Sequence, residues 1–337
     1  MKHPNDNWTQ RCCLGAAARN LPPALKRLNL SAAIAVVLAV LAWWLWTPDK
    51  DRASLERLYL KAPTDMVNVA GTRLHVRDSG PAAAPAVLML HGFGASLHTW
   101  EPLAQGLQAG FRVIRIDLPG SGLSPPDATG VYSDDRTIDI LLALMASRGI
   151  HRATLIGHSI GGRIAWTFAA RHPEKMQKLV LISPDGFASP GFEYGKQPDV
   201  SWLLQAMRFV LPKSLLLMSL KPAYANPAVL TGPLADRYHD LMRAPGARQA
   251  LLDRMAQTVL VNPTPLLQKI TAPTLLVWGA KDAMIPVANA ADYQAAMPSA
   301  QRVVLPGVGH LPQEEAPGPT LAAVLAFLLV PADKTQP

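Results

Sequence analysis

Apolar positions divide this chain into three unlike parts. Residues 30–46 are an apolar run interrupted only by Ser31. Residues 66–184 and 271–330 alternate short apolar runs with longer stretches of helical periodicity. The short runs are Val87–Leu90, Arg112–Ile116, Ala153–Ile156, Leu179–Ile182, Thr274–Trp278 and Arg302–Leu305. Runs of this length, rich in Val, Ile and Leu, read as buried strands. Between them, Ser133–Gly149 places Ile138, Leu141, Leu142 and Met145 on one helical face, and Ile160–His172 does the same with Ile164, Ala165, Phe168 and Ala169 before Pro173 closes it. Met66–Asp78 reads as a hairpin that turns at Ala70-Gly71. Such alternation predicts an α/β chain with a mostly parallel sheet covered on both faces. The pattern breaks over 185–270, which has no clean strand and is rich in Leu, Met and Trp before becoming amphipathic.

Three of the expected strands end on reactive side chains. Ala153–Ile156 runs into Gly157-His158-Ser159-Ile160-Gly161, which fits G-x-S-x-G, a serine on a sharp strand-to-helix turn flanked by positions that must be small. Thr274–Trp278 runs into Gly279-Ala280-Lys281-Asp282, and Arg302–Leu305 is followed by Gly307-Val308-Gly309-His310. Serine, acid and histidine therefore follow one another, each just after a strand. A serine hydroxyl needs a base to act as a nucleophile, and the base needs a partner to fix its tautomer. Ser159, His310 and Asp282 supply the three roles, with Asp185 in Ser183-Pro184-Asp185 as the alternative acid. The tetrahedral intermediate of such chemistry needs two preorganised donors. These are expected to be the backbone N–H groups of Ile160 and of Phe93 in His91-Gly92-Phe93-Gly94. His91 is expected to brace its loop and His158 to be a packed flank.

With these motifs the chain resembles the α/β-hydrolase superfamily over roughly residues 66–330. Asp117-Leu118-Pro119-Gly120-Ser121-Gly122-Leu123-Ser124 resembles that family's D-x-P-G-x-G-x-S loop, and Gly309-His310 with Glu315 and Pro317 resembles its G-H-x4-E-x-P ending. The resemblance implies an α/β-hydrolase core over 66–184 and 271–330, with a helical cap over 185–270. It implies a serine hydrolase without metal or cofactor, with a carboxylic ester hydrolase as first expectation. Haloalkane dehalogenases and epoxide hydrolases of the superfamily use Asp where this chain has Ser159. Carbon–carbon hydrolases of ring-fission products are the main alternative. Arg237 resembles their substrate-binding cap arginine, but they usually carry Asn at position 158 and Trp at position 311, where this chain has His and Leu. A cofactor-free haloperoxidase or perhydrolase shares the same motifs, and a non-catalytic binding protein is disfavoured because all three triad residues are present. The greasy cap, with Trp202 and Met207, either packs on the body or lines a pocket for a hydrophobic ester.

Composition changes the picture mainly at the N-terminus. The 337 residues carry a net charge of +8, and residues 1–29 hold five Lys or Arg against one Asp. A basic tail beside an apolar run points to anionic lipid rather than nucleic acid. As a helix, 30–46 would be about 26 Å long, near the lower limit for crossing a bilayer, and Trp43, Trp44 and Trp46 sit at its end as interfacial residues do. The expectation is a basic tail (1–29), a single-pass signal anchor (30–46) and a polar linker (47–65), in a bacterial inner membrane with a periplasmic catalytic body. A cleaved signal is the alternative. Cysteine is confined to Cys12 and Cys13, so the body has no disulfide framework.

Overall fold

The computed structural model describes residues 23–189 and 193–331, with side chains from residue 31 onward. The chain divides into two compact units at the junction of Trp46 and Thr47. In the first, helix α1 (Pro23–Leu45) takes up the apolar run and ends one residue before Trp46. The basic residues before 23 lie outside the described residues. The transmembrane expectation finds no support in the described residues. Among the described residues, no helix is long and apolar enough to cross a membrane.

The second unit is built on one eight-stranded sheet. Its strands are β1 (Met66–Val69), β2 (Thr72–Ser79), β3 (Ala86–Leu90), β4 (Arg112–Ile116), β5 (Ala153–His158), β6 (Met176–Ile182), β7 (Thr274–Gly279) and β8 (Gln301–Leu305). They lie in the order β1-β2-β4-β3-β5-β6-β7-β8. The first two pairings are antiparallel and the rest parallel. Helices follow in sequence as α2 (Arg52–Tyr59), α3 (Glu101–Leu107), α4 (Asp134–Ser147), α5 (Ile160–Arg171), α6 (Trp202–Ala206), α7 (Lys213–Leu220), α8 (Gly232–Met242), α9 (Ala247–Gln257), α10 (Thr264–Leu267), α11 (Asn289–Ala296), α12 (Pro312–Glu315) and α13 (Pro317–Leu329).

Side chains alternate across the sheet with period two, and each strand feeds two cores. Leu88, Leu90, Leu155, Leu179 and Leu181 pack with Ile138, Leu141 and Leu144 of α4 and with Ile164 and Phe168 of α5. Val87, Met89, Ile156, Val180 and Ile182 face the other way, onto Leu103 and Leu107 of α3 and Val324 and Phe327 of α13. Both faces being covered, the central strands are largely apolar rather than alternating. The chain runs from β3 outward to β4 and then returns to place β5 on the opposite side of β3. The carboxyl ends of β3 and β5 therefore flank a topological switch point, the place where open α/β sheets bind ligands.

Residues 47–65 are folded rather than a loose linker. Asp51 caps α2 by accepting from the Ser54 N–H, and Leu55 is buried at 1% exposure among Leu123, Leu241, Ala244 and Ala247. The chain before it is stitched to α8 and α9. Arg248 donates to the Thr47 carbonyl and pairs with Asp49, Lys50 pairs with Asp240, and Arg243 donates to the Pro48 carbonyl. The polar residues that made this stretch look like a linker are its docking contacts. Truncating Leu55 removes most of an apolar anchor, so Leu55→Ala should lower unfolding stability by about 2–4 kcal/mol in a urea titration. An unchanged midpoint would mean that α2 does not belong to the cooperative fold.

The loop after β4 is held from within. Asp117 is wholly buried, and its carboxylate accepts from the Leu97 N–H (2.6 Å), the Leu123 N–H (2.9 Å) and Nδ1 of His75 (2.7 Å). Gly122 is required beside it, because a Cβ there would meet the Asp117 carboxylate at 2.1 Å. Burial alone would raise the Asp117 carboxyl, but the His75 ring outweighs it and holds the group well below the ordinary carboxylate range. A depressed folded-state value contributes stability above the unfolded value, near 4, that is lost as pH falls through the folded one. Asp117→Asn should therefore cost about 3 kcal/mol near neutrality. The gap from the unmodified protein should narrow steadily below about pH 4. A gap independent of pH would assign the loss to packing alone.

Candidate active site

Ser159 stands where β5 meets α5, with φ 52° and ψ −120°. A non-glycine residue at positive φ is strained and persists only where its surroundings fix it. Two close approaches do so. A Cβ at Gly157 would lie 2.3 Å from the Gly161 carbonyl oxygen, and one at Gly161 would lie 2.3 Å from that of Leu90. The Ser159 N–H donates to Ile182 on the neighbouring strand at 3.1 Å, and its carbonyl accepts from the Asp185 N–H at 3.0 Å.

His310 lies on the loop beyond β8, next to Asp282 on the loop beyond β7. The His310 Nδ1–H donates to Asp282 Oδ2 at 2.8 Å, in a pair almost wholly removed from water. The other carboxylate oxygen accepts from the Met284 and Ile285 N–H groups at 2.9 and 2.8 Å. Burial would raise the Asp282 carboxyl, but the His310 and Ile285 bonds prevail and keep it below its ordinary value. Asp282 is thus an ionised, fixed acceptor, and it sets the His310 tautomer with the proton on Nδ1 and the lone pair on Nε2. Ser159 and His310 do not hydrogen-bond here; contacts of this kind commonly tighten only when substrate is bound.

The backbone of His310 is held as firmly as its ring. Its N–H donates to the Ala223 carbonyl at 2.8 Å, and its own carbonyl accepts from Nε2 of His158 at 2.8 Å. Burial pushes His158 down to about 3, so it is neutral near pH 7 and serves as a brace. His91 braces the adjacent loop by donating from Nδ1 to the Gly92 carbonyl and accepting the Leu118 N–H at Nε2. The fixed loop presents the Phe93 N–H, and the start of α5 presents that of Ile160. Among the described residues, neither has a protein acceptor. Both line a narrow crevice with Gly120, Ser121, Ala250, Leu251 and Arg254.

The remaining expected residues are elsewhere. Asp185 is 2.7 Å from Arg163 in an ion pair, not beside His310. Arg237 pairs with Glu314 at 2.9 Å, and the same carboxylate accepts from Tyr224 and Tyr238. Its guanidinium therefore ties α8 to the segment after His310 instead of standing free for substrate. Trp202 is 80% exposed, and Met207 packs in the apolar cluster of Leu211, Leu216, Tyr238 and Leu251. Neither lines the crevice. Glu315 accepts from the N–H groups of Gly309, Ala225 and Asn226, which explains the glutamate in the G-H-x4-E-x-P ending. Glu314, Tyr224 and Arg254 carried no sequence signal beyond their residue type.

Comparison with known proteins agrees with this geometry. The alpha/beta hydrolase fold family model matches residues 85–317. A 2-hydroxy-6-oxononadienedioate/2-hydroxy-6-oxononatrienedioate hydrolase of Cupriavidus pinatubonensis is 30% identical over 254 residues, which are 72% of this chain and 86% of that one. A bacterial membrane phospholipase A is similar in structure, with a TM-score of 0.67 and 25% identity, covering 90% of this chain and 97% of that one. A thermophilic esterase of Thermogutta terrifontis gives a TM-score of 0.64 and 25% identity over 78% of this chain and 97% of that one. With a sheet, a nucleophile turn and a family model that agree over most of its length, the chain belongs to the alpha/beta hydrolase fold family.

Proposed function

We propose that this protein is a serine hydrolase of carboxylic esters. The observation that carries the reading is the His310–Asp282 pair, in which the buried carboxylate holds the ring through Nδ1, together with a strained serine on the turn after β5. Ser159 Oγ attacks the ester carbonyl while His310 Nε2 takes its proton. The oxyanion accepts from the N–H groups of Phe93 and Ile160. His310 returns the proton to the leaving alcohol, and water then releases the acyl group by the same path in reverse. Asp282 stabilises the imidazolium formed at each step. The ester class is supported by the likeness to a membrane phospholipase A and an esterase, and by the engagement of Arg237 with Glu314. Carbon–carbon hydrolysis is the second reading, favoured by the 30% identity to a hydrolase of ring-fission type. Haloperoxidase or perhydrolase activity on the same triad is a lesser variant of the first.

Attachment to a membrane through residues 1–46 is part of the proposal, with the body on the periplasmic side. It is supported by the basic tail, by the apolar side chains of Ile34, Val36, Leu38 and Val40 exposed along α1, and by Trp43 and Trp44 at its end.

Ser159→Ala should abolish turnover of short p-nitrophenyl esters with the thermal transition retained. Asp282→Asn should lose about 10³–10⁴-fold in kcat, and Asp185→Asn far less. Activity surviving in Ser159→Ala would sink the assignment, and turnover of a vinylogous ring-fission diketone alone would select the second reading. After cell fractionation, the full chain should sediment with membranes and resist a salt wash, whereas a chain lacking residues 1–46 should not. Recovery of the full chain in the supernatant would refute attachment.

A further inference from the structure

Among the described residues, four arginines are buried, and three of them have a carboxylate. Arg115 pairs with Glu101, Arg163 with Asp134 and Asp185, and Arg248 with Asp49. Arg254, at 4% exposure, has none among the described residues. Its NH1 and NH2 groups reach only the carbonyls of Tyr132 and Pro119, at 3.5 and 3.2 Å, and its guanidinium carbon lies 5.2 Å from the centre of the Tyr132 ring. Asp134 is the acid whose field reaches it, but both oxygens of that carboxylate are bonded to Arg163. Burial pushes the Arg254 guanidinium down to about 10, and it remains a cation near neutrality. An unpaired buried cation is costly and is normally matched by an anion.

The placement of this cation is specific. Ala250, Leu251 and Arg254 lie on one face of α9 and form the cap wall of the crevice whose other wall carries Phe93 and Ile160. Gly120 brings that body wall so near that a Cβ there would lie 2.3 Å from the Ala250 Cβ. Arg254 is thus a lining residue of the same small space as the two candidate oxyanion donors. Its planar fork of donors suits a carboxylate or phosphate.

We infer that Arg254 is a substrate-binding residue that receives an oxyanionic substituent, carboxylate or phosphate, carried near the scissile ester. The inference rests on the serine-hydrolase reading of the same site and names its substrate class. An anion on the acyl side, as in a dicarboxylate half-ester, and a phosphate on the alcohol side, as in a lysophospholipid, share this chemistry.

Two matched pairs separate the sources. Mono-p-nitrophenyl glutarate is compared with its methyl ester, and lysophosphatidic acid with the monoacylglycerol of the same chain. In at least one pair, the anionic member should exceed the neutral one at least roughly tenfold in kcat/KM, as a charge-assisted bond would give. Arg254→Met should reduce that ratio by about the same factor, with Arg254→Lys keeping part of it. Should Arg254→Met fail to fold, the Lys variant and the unmodified protein still decide. Glutarate should inhibit competitively at a concentration roughly tenfold or more below that of glutaramide if the acyl-side anion is bound, and glycerol 3-phosphate below glycerol if the phosphate is. No preference in either pair and no selective inhibition by either anion overturns the inference, as does a ratio unchanged by substitution, which would make Arg254 a packing residue. Hydrolysis persisting in Ser159→Ala would instead overturn the underlying reading.

Discussion

The site depends on one strained residue. Ser159 adopts a backbone conformation that an ordinary side chain avoids, and the cost is met by the sheet around it. Gly157 and Gly161 let the turn close against Leu90 of the neighbouring strand, and the Ile182 carbonyl holds the Ser159 N–H. Because β3 and β5 are adjacent, that same closure brings the Phe93 loop to the start of α5. The candidate nucleophile and the candidate oxyanion donors are thus brought together by a single packing arrangement at the switch point.

The second arm of the site is fixed by buried carboxylates, not by apolar packing. Asp282 orders the His310 ring, Glu315 gathers three N–H groups around Gly309, and Glu314 joins Arg237, Tyr224 and Tyr238. Through these contacts the cap and the histidine loop form one piece. Asp117 plays the corresponding part for the loops beyond β3 and β4. Each of these acids is multiply bonded, which offsets the cost of taking the charge partly or wholly out of water.

Elements governed by local pattern were legible in the sequence. The strand runs from Val87, Arg112, Ala153 and Thr274 became β3, β4, β5 and β7, because strands buried on both faces are dominated by apolar residues. The serine turn was legible because its glycines answer to contacts a few residues away. What escaped depended on pairing across long sequence separations. Arg237 looked like a residue free for substrate until Glu314, 77 residues on, occupied it. Trp202 and Met207 share a greasy stretch, yet one is exposed and the other packed, and composition does not divide them. The segment from Thr47 to Leu60 looked like solvated polar chain because its ionic partners, in α8 and α9, lie 190 and 199 residues away. Arg254 escaped for the opposite reason: what distinguishes it is a partner that it lacks.

The stitching of that same segment bears on the crevice as well. Thr47, at the start of the second unit, is bonded to Phe209, Leu211 and Arg248 of the 185–270 region. Helix α9 therefore holds the start of this unit through Arg248 and, on the same helix, carries Ala250, Leu251 and Arg254 of the crevice, so that one element serves both.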